Sequence, residues 1–376
     1  NNFSSSDAVQ MLKDVRNLSR EKLFEKYDFA ETDDWKLSEK KHLFKPEQVS
    51  DIRCIAYRPF DRRFAYYPLD KISEIIVRGD SRVGTAKHLL LTPNIALIVK
   101  RSRMINVDYF CHICVVKCLP DLNYLGDQSY FAPLYSVISD GEGILKFAGD
   151  KGGNERHRVH NISVKLVNRL VDSYGLTFRD DGVGDLHATF GPEDILHYAY
   201  SVLHSPDYRS RYAEFLKIDF PRLPLTRSLK LFQKLARLGG QLIALHLLES
   251  PKLDQHITEF NGGRNSEVEK VSWSKNTVWV DKAQTIGFCG VPENVWNFHI
   301  GGYQVCEKWL KDRGPKKGEP GRALTKDDVT HYQRIVVALN ETIRLMKEID
   351  EVIEKHGGWP AAFSTPSDKT ATTDGG

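Results

Sequence analysis

Along this 376-residue chain the apolar positions change period several times, and each change marks an element. In residues 1–45, Val9, Leu12, Val15, Leu18, Leu23 and Phe24 recur among alternating acids and bases, which predicts a connector of one or two amphipathic helices. Ser6 is placed to cap the first helix, and Ser19, with Glu21 beside it, the second. From Ile52 to Val137 the pattern shifts to runs rich in β-branched and aromatic residues: IRCIAYRPF, RFAYYP, IIV, NIALIVKRS, YFCHICVVKCL and FAPLYSV. With Pro, Gly, Asn and Asp between them, these predict a mixed sheet, interrupted by one helix at SRVGTAKHLLL that stops at Thr92-Pro93-Asn94.

Residues 140–161 carry glycine and charge without an apolar period and read as a linker or mobile loop. Helical spacing returns between 162 and 250. Pro192 there marks a first turn, and Leu229, Phe232, Leu235, Leu238, Leu242, Leu245 and Leu248 form a core stripe with a candidate break at Gly239-Gly240. VSWSKNTVWV predicts a hairpin around Lys275 and Asn276, and VWNFHI a further strand. Residues 325–356 predict one long helix, capped by Thr325 with Asp328 three positions on. The expected fold is therefore α+β: a connector at 1–45, a mixed-sheet part at 46–139, the linker at 140–161 and a helical support region at 162–358. That last region contains a small β insertion near 268–300 and the long C-terminal helix, and a disordered tail of Ser, Thr, Pro, Gly and Asp follows at 359–376.

Charge singles out one stretch. Residues 53–103 hold Arg53, Arg58, Arg62, Arg63, Lys71, Arg78, Arg82, Lys87, Lys100, Arg101 and Arg103 against Asp61, Asp70, Glu74 and Asp80, about +7 in a chain whose formal net charge is +3. Tyr57, Phe60, Phe64, Tyr66 and Tyr67 are interleaved with the arginines. A hairpin tip whose arginines pair with Asp61 and face water is the plain explanation. The preference for Arg over Lys points instead to a surface for phosphates and base edges, since the guanidinium fork matches both.

Composition, at 41% hydrophobic and 27% charged, is that of an ordinary globular chain, and no apolar run reaches the roughly 20 residues of a membrane span. There is no secretory leader, so cytoplasmic residence is expected, and the opening NNFSSSDAVQ reads as a piece of a longer polypeptide. Three of the six cysteines cluster as CHICVVKC; strand alternation turns Cys111 and Cys114 to opposite faces, which favours buried reduced thiols over a metal site. The chain lacks GxxxxGK[ST], HExxH, GxSxG and a GxGxxG after a strand, and it lacks the Asn/Asp-Pro-Pro-Tyr tetrapeptide that holds a flipped adenine. No catalytic residue, metal or cofactor is expected within it.

Several runs together resemble a known family: YRPFDRRFAYY, PNIALIVKRS, FAPLY, EDILHYAYSVLHSPDYRSRYAEFLKIDFPRLPL, VWNFHIGGYQVCEKWLKDR and HYQRIVVALNETIRLMKEID. They are similar to the C-terminal specificity region of type ISP restriction-modification enzymes, and related regions close large bacterial adenine-specific methyltransferases. The resemblance covers residues 33 to 350. It implies a target-recognition domain for double-stranded DNA in a parent polypeptide that also carries a nuclease, an ATP- and Mg-dependent helicase-like motor, a helical coupler and an S-adenosylmethionine-dependent adenine methyltransferase.

On that basis Arg58, Arg62, Arg63, Arg78, Arg82 and Lys87 are expected on phosphates. Arg101, Arg103 and Asn106, in the loop after IALIVK, are expected on base edges, Arg matching guanine and Asn matching adenine. The upstream methyltransferase and coupler are the expected protein partners, and residues 162–250 with 325–356 are expected to brace the sheet against them. Two other classes are weighed: a non-catalytic module for an acidic protein or RNA, using Tyr57, Phe64 and Tyr66 as stacking platforms, and a standalone enzyme using Asp61, His88, His112 and Asp121. The half-buried alternation of the aromatics disfavours the first, and nothing local brings the second set together.

Overall fold

The structure, a computed structural model, describes residues 3–27, 31, 36–68, 71, 80–100, 110–121, 123–126, 129–137, 158–263, 265–315 and 321–363. The connector forms two helices, α1 (Ser5–Asn17) and α2 (Arg20–Tyr27). The cap of α1 is Ser4 rather than Ser6, because only Ser4 has an acid at the third helical position: its hydroxyl accepts from Asp7 N–H while the Asp7 carboxylate accepts from Ser4 N–H. Leu12, Val15 and Leu23 pack with Leu37, Leu43, Phe44 and Tyr66 in a small core of their own, which docks the connector onto the sheet.

The expected mixed sheet resolves into two three-stranded sheets. Strands β1 (Ile52–Arg58) and β2 (Asp61–Tyr66) form an antiparallel hairpin, registered from Ile52 opposite Tyr66 to Arg58 opposite Asp61, with an irregularity after Ala56. Its two-residue turn is Pro59-Phe60, and Phe60 sits at φ 61°, a left-handed position where glycine or asparagine is the usual occupant. Helix α3 (Asp80–Leu90) follows, then β3 (Ala96–Val99), β4 (Ile113–Val116), β5 (Leu119–Pro120) and β6 (Tyr130–Pro133). β5 joins β1 in parallel, giving the mixed order β2-β1-β5, while β4-β3-β6 is antiparallel throughout. The expected IIV strand lies outside the described residues. The last residues assigned to the linker form a strand, β8 (Arg158–His160), which pairs with β7 (Tyr135–Val137); residues 138–157 lie outside the described residues.

The helical half holds α4 (Val164–Tyr174), α5 (Pro192–His204), α6 (Leu229–His246), α7 (Val305–Lys311) and α8 (Lys326–Glu354), with Thr325 and Asp328 forming the expected capping box of α8. Gly239-Gly240 does not break α6. A Cβ on Gly239 would stand 1.8 Å from the carbonyl oxygen of His197, so the glycine is what lets α5 and α6 approach backbone to backbone. The short strands β9 (Thr177–Phe178) and β10 (Thr189–Phe190) pair in parallel. Farther on, β11 (Glu259–Asn261), β12 (Ser272–Ser274), β13 (Thr277–Trp279) and β14 (Gly287–Cys289) make a sheet in the order β11-β14-β13-β12. The β12–β13 turn is Lys275-Asn276, both at positive φ (49° and 57°), the conformation that suits a two-residue hairpin. VWNFHI is only partly a strand: Pro292 starts a helical turn at Glu293–Trp296, and His299–Ile300 alone pairs, with Tyr303–Gln304.

One apolar core runs through both halves, from Ala56, Phe60, Ile98 and Val115 in the sheets to Phe232, Leu242, Ile335 and Leu339 in the helices. No described helix is long and apolar enough to cross a membrane.

Candidate nucleic-acid interface

Four of the nine expected contact residues have described side chains. Alternation along β2, set by its pairing with β1, sends Asp61 and Arg63 inward and leaves Arg62 exposed. Arg62 donates one guanidinium N–H to the carbonyl of Leu247 at 3.1 Å, at the end of α6, and keeps the rest of its fork toward solvent. Arg63 is 3% exposed; its Nε and Nη2 both donate to one Asp61 oxygen, at 3.1 and 2.7 Å. The other Asp61 oxygen accepts from Arg313 Nη2 at 3.2 Å; Arg313 Nε in turn reaches Asp328, which also holds Arg322 through two 2.7 Å bonds. Phe3, from the connector, lays its ring 3.6 Å from the Arg63 guanidinium carbon and 4.5 Å from that of Arg322. The hairpin is thus tied by buried ion pairs to the start of α8, and Arg63 belongs to that interior network rather than to an open face.

Arg58 is partly covered. Its Nη1 donates to Asp121 at 3.0 Å and to the carbonyl of Tyr57, and its guanidinium carbon lies 4.2 Å from the Tyr57 ring and 5.2 Å from that of Tyr303. Lys87 is half-buried in the last turn of α3, where its charge complements the helix dipole. Arg82 lies on the described backbone of α3, its side chain outside the described residues; Arg78, Arg101, Arg103 and Asn106 lie outside them altogether. The strand that precedes Arg101 is fixed on both sides: Val99 pairs with Ile113 and with Tyr130.

Next to Ile113, His112 is 1% exposed with neither ring nitrogen hydrogen-bonded; burial, with the Lys100 and Arg209 charges beside it, pushes it down to about 4 and keeps it neutral at pH 7. The other candidate enzyme residues are equally committed. Asp61 and Asp121 hold arginines, and His88 Nδ1 accepts from Val137 N–H. No group of three or more His, Cys, Asp or Glu fit to hold a metal occurs among the described residues. Of the proposed stacking aromatics, Tyr66 is 7% exposed, Tyr57 is covered by the Arg58 and Arg63 guanidiniums, and Phe64 is half-buried.

The partners that decide these roles are remote in sequence. Asp121 is 63 residues from Arg58, Leu247 is 185 from Arg62, and Arg313 is 252 from Asp61. Sequence reading found the arginines and missed Asp121, Arg313, Arg322 and Asp328 as their anchors; the one local signal was Asp61, two positions from Arg63.

With this geometry in hand, comparison with known proteins becomes specific. The Type ISP C-terminal specificity domain matches residues 2–348. The chain belongs to that family. Among solved structures it is similar to an ATP-dependent Type ISP restriction-modification enzyme, LlaBIII, bound to DNA, at 18% identity and a TM-score of 0.60 over 93% of this chain and 22% of that one. It is similar also to a nuclease-deletion mutant of the Type ISP enzyme LlaGI in complex with a DNA substrate mimic, at 18% identity and a TM-score of 0.54 over 92% of this chain and 30% of that one. A third likeness is to the DrdV–DNA complex, at 19% identity and a TM-score of 0.58 over 92% of this chain and 33% of that one. The specificity domain thus spans a third or less of each of these polypeptides, and at such identities the likeness is one of fold. No curated protein matches the chain.

Proposed function

We propose that this specificity domain reads a target sequence in double-stranded DNA for a restriction-modification polypeptide. The observation that carries the reading is the family match over residues 2–348, and the likeness to three chains solved with DNA supports it. The domain contributes no catalytic group. The parent is read as an adenine-specific methyltransferase using S-adenosylmethionine, with an ATP- and Mg-dependent nuclease motor, working in the cytoplasm. Its methyltransferase and coupler are the proposed protein partners, with the connector of α1 and α2 as the proposed link to them.

Burial alters the expected contacts. Arg62 takes the exposed phosphate position at the hairpin tip, with Arg78, Arg82 and Lys87 beside it in the sequence-based set. Arg58 positions the turn through Asp121, and Arg63 acts as an anchor. Arg101, Arg103 and Asn106 remain the proposed readers of base edges, since they follow β3 in a segment held at both ends by the sheet. Residues 46–139 are read as the target-recognition part and 162–358 as its support.

Selection of the protein on a randomised duplex pool at about 0.15 M salt tests this. An enriched asymmetric motif is the expected result. Losing one base-reading arginine is then expected to cost roughly 1–3 kcal/mol and relax the motif at one position. Failure to retain any duplex overturns the proposal.

A further inference from the structure

Several cations on the helical half have an acid beside them. Arg344 pairs with Glu341 and Glu348, Lys252 with Glu341, Lys308 with Asp312, and Lys311 with Glu307. One face departs from this. α6 contains no Asp or Glu, yet it exposes Lys230, Lys234 and Arg237 at i, i+4 and i+7, one side of the helix. None of the three makes an ion pair among the described residues; Arg237 alone has a near neighbour, the ring nitrogen Nε2 of His187 at 3.4 Å. Lys230 also stands in the first turn, where the helix dipole repels a cation, and Lys230 and Lys234 repel each other at i, i+4. These placements weaken the isolated helix.

Further exposed cations stand on α4, which packs against the start of α6. Tyr174 at the end of α4 donates from its hydroxyl to the carbonyl of Thr226 at 2.8 Å, and its ring lies 4.8 Å from that of Phe232, so the two helices are locked together where α6 begins. Between α4 and the segment leading into α6 runs an open groove of about 690 Å³ lined by Lys165, Asn168, Arg169, Asp172, Thr226 and Arg227. Its three cations are exposed and make no ion pair among the described residues. Acids do stand near these cations. Asp172 lines the groove, and Asp185, near His187, spends one oxygen on the N–H groups of His187, Ala188 and Thr189. Six exposed cations, five on α4 and α6 and Arg227 just before α6, make no ion pair among the described residues.

We propose that this α4–α6 face is a second contact surface of the domain, one that takes the phosphodiester backbone of duplex DNA without reading its sequence. The inference rests on the DNA-binding function proposed above and adds a surface that function does not require. Lys230 to Arg237 rise about 10 Å along the helix, which matches roughly three phosphate steps of one strand at 3.4 Å each. Three of the six are lysines, whose point charges suit contacts that tolerate any register. The polyanion supplies the charge that the helix lacks.

The test is the triple variant Lys230→Gln/Lys234→Gln/Arg237→Gln in the full chain, with binding to a random-sequence duplex of about 30 base pairs measured between 50 and 200 mM NaCl. Neutralising three contacts is expected to reduce the slope of log K against log salt by about 2.7, so that the unaltered protein loses about forty-fold more affinity across that range than the variant does. The motif enriched from a randomised pool is expected to stay the same, and lysine-to-arginine replacements to restore the slope. Exposed glutamines fit the helix, so the melting temperature is expected to hold. If the unaltered protein binds duplex and the variant's slope changes by less than one, this surface is not a phosphate contact and the primary function stands. If the slope is unchanged but the variant associates more weakly with the upstream part of its polypeptide, the face docks protein and the proposal is wrong. If the unaltered protein binds no duplex, both readings fall together.

Discussion

The assignment of Arg63 as an anchor can be tested against its charge bookkeeping. The network holds three guanidiniums, Arg63, Arg313 and Arg322, and two carboxylates, Asp61 and Asp328, with the Phe3 ring over the cations. The side chains of Asp61, Arg63 and Arg313 are 2%, 4% and 6% exposed, so water screens little of their interaction. Arg63→Ala removes two hydrogen bonds to a charged group and leaves two cations facing two anions, with Asp61 still held by Arg313. The expected cost is about 1.5–3 kcal/mol. Asp61→Asn leaves three cations facing one anion, with a neutral amide offering one accepting oxygen where two served two guanidiniums, and is expected to cost roughly 3–5 kcal/mol. With unfolding entropy near 2.1 cal/mol/K per residue over the described chain, the larger loss corresponds to a fall in melting temperature of about 5–8 °C. Thermal denaturation followed by circular dichroism, with duplex affinity measured well below the transition, separates the two roles. An anchor gives the order Asp61→Asn worse than Arg63→Ala in stability and little change in the salt slope for either. Arg63→Ala with an unchanged melting temperature and a tenfold weaker duplex affinity would place the guanidinium on DNA and refute the reasoning.

Three further outcomes follow from particular contacts. Gly239→Ala is expected to destabilise by about 1–3 kcal/mol or more, because its Cβ collides with the His197 carbonyl, whereas the same change in an open helix stabilises; urea denaturation distinguishes them. Burial acts to raise the Asp328 carboxyl, but hydrogen bonds from Arg322 and Thr325 outweigh it and hold the group well below the usual carboxylate range. A depressed folded value means that Asp328 stabilises above the unfolded value near 4 and loses that contribution as pH falls below it, so a pH series should show acid loss that Asp328→Asn abolishes. Cys54, which accepts a hydrogen bond from Cys118 across β1 and β5 and is held at about 7, is expected to alkylate before Cys111, Cys114 and Cys306, which burial raises to about 11, 12 and 12; peptide mapping after brief iodoacetamide treatment reads the order.

What could be read from the chain was whatever depends on near neighbours. The long helix, its Thr325 cap and the Lys275-Asn276 hairpin follow from residues within a few positions of one another, and the structure has each where its pattern puts it. The β1–β2 hairpin was legible too, as two apolar runs around Pro59, though not its β5 neighbour, which joins by a parallel pairing from far along the chain. Gly239-Gly240 misled because a glycine pair inside a helical stripe signals a break by local rules, and only the presence of His197 across the α5–α6 contact shows why it is there. The same limit governs the site. A count of charge weighs Arg62 and Arg63 alike, yet strand alternation and a partner 252 residues away from Asp61 make one exposed and the other interior.

This difference bears on how the domain could hold DNA at all. With Arg58 and Arg63 engaged by Asp121 and Asp61, the sequence-based phosphate set shrinks to Arg62, Arg78, Arg82 and Lys87, which would give a salt slope near −4. Adding Lys165, Arg169, Arg227, Lys230, Lys234 and Arg237, none of them ion-paired among the described residues, takes the slope toward −9. The two values are far enough apart for a single salt titration of the unaltered protein to choose between them. A slope near −4 would confine binding to the hairpin stretch. A steep slope would mean that the helical half, besides bracing the sheet, carries most of the electrostatic attraction, and that the basic run in the sequence chiefly positions the domain while its weaker-looking partner holds the duplex.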